Sequence, residues 1–225
     1  FNESLEGKTV VVSGYGNASW GAIEKLVQLG AIPLTISGRS GYVFDSKGIV
    51  TSEKIEYLLK MRSSEKEDVL SEYAKAFQAE FYPGEKPWGV KADIIMPCAT
   101  QNEVDLAEAK KIVASGAKYY VEVSNMPTTN EAVAYLCENG VTVAPSKAVN
   151  AGGVAVSGLE MSQNSVRYNW GSCEVDSMLR RIMSNIYNNS VEAAKRYGLG
   201  YDLIAGANIA GFEKVARAMM SQGWV

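Results

Sequence analysis

The chain has 225 residues, 47% of them hydrophobic, with a net charge of -3 and acidic and basic residues interleaved. That is enough apolar material for a full core, which excludes disordered and collagen-like classes. No apolar run approaches the roughly 20 residues that span a bilayer, and no basic face argues for nucleic acid. The amino terminus shows no basic region leading into an apolar one, so a soluble protein with small molecules or other subunits as partners is expected, with no membrane and no nucleic-acid role. Cys98, Cys137 and Cys173 are an odd count without a C-x-x-C, which suits thiols in a reducing compartment, the cytoplasm. Histidine is absent. The commonest zinc ligand and the commonest general base near neutral pH are therefore missing, no metal site is expected, and any acid–base chemistry falls to Lys, Asp, Glu or Tyr.

Phe1 to Lys8 is a polar lead-in to a strand over Thr9 to Ser13. The run Val10 to Gly21 reads VVVSGYGNASWG, a short apolar strand that ends in Gly14 and Gly16 with small Ser19 after them. In a Rossmann unit the first glycine makes the tight turn, the second admits a pyrophosphate to bare backbone, and a small third residue lets the helix pack on the strand. A serine in the third place departs from the expected Gly or Ala, and an ordinary strand-to-helix turn is the structural alternative. Ala22, Ile23, Leu26 and Leu29 then recur at helical spacing and Gly30 stands where a helix ends in a left-handed residue. Ile32 to Ile36 is expected as a second, parallel strand, completing a right-handed βαβ unit.

About 20 residues past such glycines an NAD site commonly carries an acid for the ribose 2′-hydroxyl. This chain instead has Ser37, Gly38, Arg39, Ser40 and Gly41, with no carboxylate before Asp45. Arg39 with two hydroxyls could take a 2′-phosphate by charge-assisted hydrogen bonds, which favours NADP over NAD. A solvated Arg39 beside a backbone-held ribose is the alternative, so NAD stays open.

Ser52 to Met61 and Glu65 to Phe77 have helical patterns, and Pro83-Gly84 with Pro87-Trp88-Gly89 marks a loop. Asp93 to Met96 is a strand followed at once by Pro97-Cys98-Ala99-Thr100-Gln101-Asn102, placed where ligands bind in an open parallel sheet. Asn102 is also a suitable N-cap for a helix to Ser115, with Gly116 after it. Tyr119 to Val123 is a strand, Ser124 to Thr129 a polar turn, and Thr129 to Asn139 a helix with Thr128 and Glu131 at capping-box spacing. Gly140 and a strand over Val141 to Ala144 follow. This alternation predicts an α/β, Rossmann-like, doubly wound and mostly parallel sheet with helices on both faces. The small-residue segment from Asn150 to Asn164 suits close approach of a flat ring or of another backbone, tight packing being the alternative. A helix over Glu174 to Tyr197 carries Val175, Leu179, Ile182 and Ile186 on one stripe; Gly198 to Asp202 breaks it, and Ile204 to Met220 is helical again.

GYGNASWGAIEKL, PCATQN, SNMPTT, APSKAVNAGGVAVSGLEMSQN and GANIAGF, in this order and spacing, resemble the carboxyl-terminal half of hexameric glutamate dehydrogenases, over essentially the whole chain. The resemblance implies hydride exchange between a nicotinamide cofactor and L-glutamate, giving 2-oxoglutarate and ammonia, in a homohexameric parent. Dehydrogenases for other L-amino acids in the same superfamily and a stand-alone nucleotide-binding or regulatory module are the alternatives. Residue by residue, it implies cofactor contacts at Ser13, Gly14, Gly16, Asn17 and Ala18 on the dinucleotide turn. Ser37, Arg39 and Ser40 match the adenosine and ribose contacts, Ala99, Thr100, Gln101, Ser124 and Asn125 the loops along the ribose and nicotinamide, and Asn150 the residue beside the carboxamide. Ser157 matches a serine that holds the substrate's distal carboxylate. No catalytic residue is expected in this chain, because the family's catalytic lysine and aspartate lie in an amino-terminal substrate domain; Lys147, next to the Asn150 segment, is the one local candidate. Residues 1–200 are then a dinucleotide-binding domain and 201–225 a helical segment that packs on the absent domain, with Ile204, Ile209, Phe212 and Val215 as its apolar stripe.

Overall fold

A computed structural model describes residues 3–63 and 69–223 and divides them into two compact units, Phe1–Val143 and Ala144–Val225. Glu65 to Asp68, expected to begin a helix, and Phe1 and Asn2 of the lead-in lie outside the described residues.

The first unit is built on β1 (Thr9–Val12), β2 (Ile32–Pro33), β6 (Ile94–Met96), β7 (Tyr119–Val121) and β8 (Thr142–Ala144), in the order β2-β1-β6-β7-β8. β1 runs parallel to both β2 and β6, and β6 parallel to β7. Val10, Val11 and Val12 are all fully buried, so the apolar run reflects a central strand covered on both faces rather than an alternating one. The covering elements include α1 (Asn17–Gln28), α4 (Leu106–Ser115) and α5 (Asn130–Glu138). Ile23 and Leu26 of α1 enter the same core as Val10, Val12 and Ile94. The α/β Rossmann-like expectation holds, and the order places a topological switch point between β1 and β6, where crossovers leave in opposite directions.

Four local expectations change. The strand expected over Ile32 to Ile36 divides: after β2 the chain peels away, and β3 (Thr35–Gly38) joins β4 (Gly41–Phe44) and β5 (Glu80–Pro83) in a separate antiparallel sheet. Thr35 makes the departure possible, since its Oγ1 accepts from Val12 N and donates to Val12 O, both at 2.9 Å, where a ladder would otherwise continue. Ser37 to Gly41, read as a ribose loop, is a two-residue hairpin with Arg39 and Ser40 at its tip. Asn102 does not cap α4. It takes a left-handed φ of 52°, and Asp105 is the cap, accepting from Glu108 N. Backbone bonds from Asn102 N to Met126 O and from Val104 N to Pro127 O hold the intervening chain extended, so the helix begins later. Thr128 does not form the expected capping box either. It is buried against Tyr120 OH at 2.7 Å, and Thr129 caps α5 instead. The remaining elements of this unit are α2 (Ser52–Arg62), α3 (Val69–Phe77) and a 3-10 turn over Pro87–Gly89.

The second unit comprises α6 (Ser146–Val149), α7 (Ala151–Val166), α8 (Ser172–Arg196) and α9 (Leu203–Gln222). α9 packs on α8 so closely at Gly206 that a Cβ there would lie 2.0 Å from Ser190 O. Arg196 and Tyr197 also bond Glu213 of α9. The compact division falls at 143/144. Of the stripe expected on α9, Phe212 and Val215 are exposed, while Ile204 and Ile209 are partly covered.

Candidate cofactor site

Beyond the carboxyl ends of β1 and β6 lies an open cleft of about 1030 Å³, built by the first unit alone. Its floor is the turn from Gly14 to Ala18. Gly14 has a left-handed φ of 80°, and a Cβ on it would stand 2.5 Å from Ser19 Oγ. Ser19, the departure from the expected third glycine, is fully buried and donates to Ser13 O at 2.9 Å. A hydroxyl there closes the turn instead of merely leaving room. Gly16 is the N-cap of α1 with no side-chain cap, the first turn of the helix carries no acid, and a Cβ on Gly16 would meet only open space. The leading N–H groups of a 12-residue helix are thus left for an anion that approaches bare backbone.

One wall is the β3–β4 hairpin with Ser37, Gly38, Arg39 and Ser40. Ser37 accepts from Gly14 N at 3.0 Å through its hydroxyl, so it braces the turn, whereas Arg39 and Ser40 are exposed. The first carboxylate after the hairpin, Asp45, is turned away from the cleft's chemistry. It is buried, pairs with Lys54 at 2.6 Å and accepts from Tyr73 OH at 3.2 Å. Burial, and then the Asp45 charge, push the Tyr73 phenol well up, so it stays a donor to that carboxylate.

The opposite wall is the loop after β6 with Cys98, Ala99, Thr100 and Glu103, and the stretch Glu85 to Trp88 completes the rim. Glu103 Oε1 accepts from Ser13 Oγ at 3.0 Å and from Ala99 N at 3.1 Å, while Ser13 Oγ accepts from Cys98 N at 2.8 Å. Burial raises the Glu103 carboxyl against the opposing pull of those hydrogen bonds. The neighbouring Cys98 thiol is pushed up by burial and by the Glu103 charge, which leaves it protonated and unreactive.

Of the residues expected from sequence, Gly14, Gly16, Asn17, Ala18, Ser37, Arg39, Ser40, Ala99 and Thr100 line this one cleft. Ser13 lies beneath it, fully buried. Gln101 and Asn125 are exposed, outside the lining, and Ser124 is half-buried after β7. Asn150 and Ser157 belong to the second unit, where Asn150 joins α6 to α7 and Ser157 Oγ donates to Gly153 O at 3.3 Å. Lys147 hydrogen-bonds Asn208 of α9. Glu85, Lys86, Trp88 and Glu103 were not foreseen. EKPWG reads only as a turn, and Glu103 stands in no motif, because its role comes from Ser13, 90 positions earlier. Among the described residues no group of three or more His, Cys, Asp and Glu could hold a metal, and no helix is long and apolar enough to cross a membrane.

The sequence model described as Glutamate/Leucine/Phenylalanine/Valine dehydrogenase matches residues 1–223. The NAD-specific glutamate dehydrogenase of Clostridium symbiosum is 60% identical over 223 residues, covering 99% of this chain and 49% of that protein. The NADP-specific glutamate dehydrogenase of Psychrobacter sp. (strain TAD1) is 47% identical, covering 99% of this chain and 50% of its own length. A solved glutamate dehydrogenase structure superposes with a TM-score of 0.96 at 59% identity, over 100% of this chain and 50% of the other. The chain spans about half the length of the curated relatives it matches.

Proposed function

The chain belongs to the Glutamate/Leucine/Phenylalanine/Valine dehydrogenase family, and from that premise we propose that it is the dinucleotide-binding half of an NAD(P)-dependent glutamate dehydrogenase. The observation that carries the reading is the uncapped amino terminus of α1 behind a left-handed Gly14, opening into a cleft at the β1/β6 switch point. The bound cofactor supplies hydride acceptance or donation for the reversible oxidative deamination of L-glutamate to 2-oxoglutarate and ammonia. The chain's own residues bind and orient. Asn17 and Ala18 present backbone N–H groups to the diphosphate, Ala99 and Thr100 border the ribose, and Asn150 and Ser157 serve the carboxamide and the substrate's distal carboxylate. Gln101, Ser124 and Asn125 belong to the same proposal along the nicotinamide side. A lysine and an aspartate for the acid–base steps lie in the other half of the protein, so residues 1–200 bind cofactor and 201–225 pack on that half. The homohexameric assembly and cytoplasmic location of the whole protein rest on the family resemblance and the odd cysteine count.

NADP is the preferred cofactor in this proposal. Arg39 is exposed at the hairpin tip on the cleft wall, and Asp45, the nearest downstream carboxylate, is withdrawn into an ion pair with Lys54, so no acid of that hairpin opposes a 2′-phosphate. Titrating NADPH and NADH against the protein tests it. Arg39→Ala is expected to weaken NADPH about tenfold, the scale of one charge-assisted hydrogen bond, and to leave NADH nearly unchanged. Equal loss for both would remove the phosphate contact. The purified 225-residue chain is expected to bind cofactor without turning over glutamate, and measured turnover would contradict the division of labour.

A further inference from the structure

A carboxylate is an unexpected wall residue for a cleft that receives an anion, yet Glu103 stands there. Its Oε1 gathers two donors from different strand ends, Ser13 Oγ after β1 and Ala99 N after β6. Ser13 Oγ, having given its proton to Glu103, accepts from Cys98 N. The two loops that meet at the switch point are therefore joined through one oxygen atom of one side chain. Glu103 reaches the third wall as well, because its main-chain carbonyl accepts from Lys86 Nζ at 2.8 Å and holds that ammonium at the rim.

We propose that Glu103 is a positioning residue for the cofactor, a clamp that sets the glycine turn, the Ala99–Thr100 loop and Lys86 in register, and that it works as a hydrogen-bond acceptor and not as a charge. The proposal rests on the dinucleotide reading of the cleft. The alternative arrangement, a clamp made of backbone bonds alone, is not what the chain uses: among the described residues, the Ser13 hydroxyl and Ala99 N find their acceptor in Glu103. An ionised Glu103 opposes an incoming diphosphate, so the acceptor function and the charge act in opposite directions on affinity. Burial already makes Glu103 easier to protonate than an ordinary glutamate. The charged and titratable groups around it are Cys98, Tyr120, Glu85 of the same cleft, and Lys86, whose ammonium also faces Glu108 at 3.9 Å. Cys98 and Tyr120 are both raised by burial and remain neutral through mid-range pH.

The test is calorimetric titration of NAD+ and NADP+ into the full protein and its Glu103 variants. Glu103→Gln keeps an acceptor without the charge; Glu103→Ala removes both. Glu103→Ala is expected to weaken both cofactors alike by about tenfold, since it strands two donors, and Glu103→Gln to stay within about threefold of the wild type. The pH profile is taken with NAD+, because a 2′-phosphate would itself titrate near pH 6. Wild-type affinity for NAD+ is expected to rise more steeply on acidification than that of Glu103→Gln, a difference that a purely structural role would not produce. Wild-type affinity in Glu103→Ala, or equal loss in Glu103→Gln and Glu103→Ala, would overturn the proposal. Should Glu103→Ala fail to fold, Ser13→Ala breaks the same clamp from its other side, and unchanged NAD+ affinity there overturns it equally. A wild-type protein that binds neither dinucleotide would instead overturn the cofactor reading itself, and this proposal with it.

Discussion

Asp45 and Lys54 are each almost fully withdrawn from water, 2.6 Å apart, with Tyr73 OH and Gly48 O completing their bonds. Two charges in such a place are stabilising only as a pair, and either one alone is an uncompensated buried ion. Asp45→Ala is therefore expected to lower unfolding free energy by about 3–5 kcal/mol, while the double replacement Asp45→Leu with Lys54→Met costs much less; urea denaturation of both variants distinguishes them. The sequence shows Asp45 only as the first acid after the hairpin. Its burial depends on Lys54 and Tyr73, which lie in α2 and α3, so no local pattern could reveal that it is unavailable to a ribose. Glycines were more legible. Gly14 and Gly30 both take φ of 80°, as a strand-end turn and a helix end require, because the demand on them is local.

At the scale of the element, helix starts divide into those a local rule identifies and those tertiary pairing moves. Thr51, Thr129 and Asp105 each accept from a backbone N–H of the first turn. Thr129→Ala and Asp105→Ala are expected to cost about 1 kcal/mol each. Asn102, a sound cap by composition, sits instead in the left-handed region. Asn102→Gly should be neutral or slightly stabilising, and Asn102→Val should destabilise, the opposite order from that of a residue valued for helix propensity. The thermal midpoint of Asp105→Ala decides between the two positions for the start of α4, since only a cap at Asp105 loses the bond to Glu108 N. The hairpin of β3 and β4 was hidden for a related reason: Ser37 to Gly41 is a glycine-flanked polar run, which a loop and a tight turn share, and only pairing of Ile36 with Val43 separates them.

For the whole molecule, the first sheet is tied at its opposite end by Asp93, whose carboxylate accepts both Thr9 N and Thr9 Oγ1 at 2.9 Å and so joins the start of β1 to the start of β6. Those bonds, the Thr9 backbone bond foremost, lower the Asp93 pKa below its usual value. A depressed folded-state pKa contributes stability above the unfolded pKa, and that contribution is lost as pH falls through the folded value. Acid unfolding should accordingly steepen below the ordinary aspartate range, near pH 4 and downward. Asp93→Asn should lower stability at neutral pH and flatten the acid limb, as followed by circular dichroism between pH 7 and pH 2; an unchanged limb would assign the acid sensitivity to other carboxylates.

The amino-acid sequence by itself determined the alternation of strand and helix, the parallel α/β class, the glycine turn and the family, because each is written in short-range periodicity, turn chemistry or ordered motifs. Tertiary structure alone decided the antiparallel β3-β4-β5 sheet, the withdrawal of Asp45, the cap of α4 and the clamp at Glu103. Each of these depends on a partner far away in the chain, as Ser13 is for Glu103, and a hydrogen bond between such residues leaves no periodic trace in either neighbourhood.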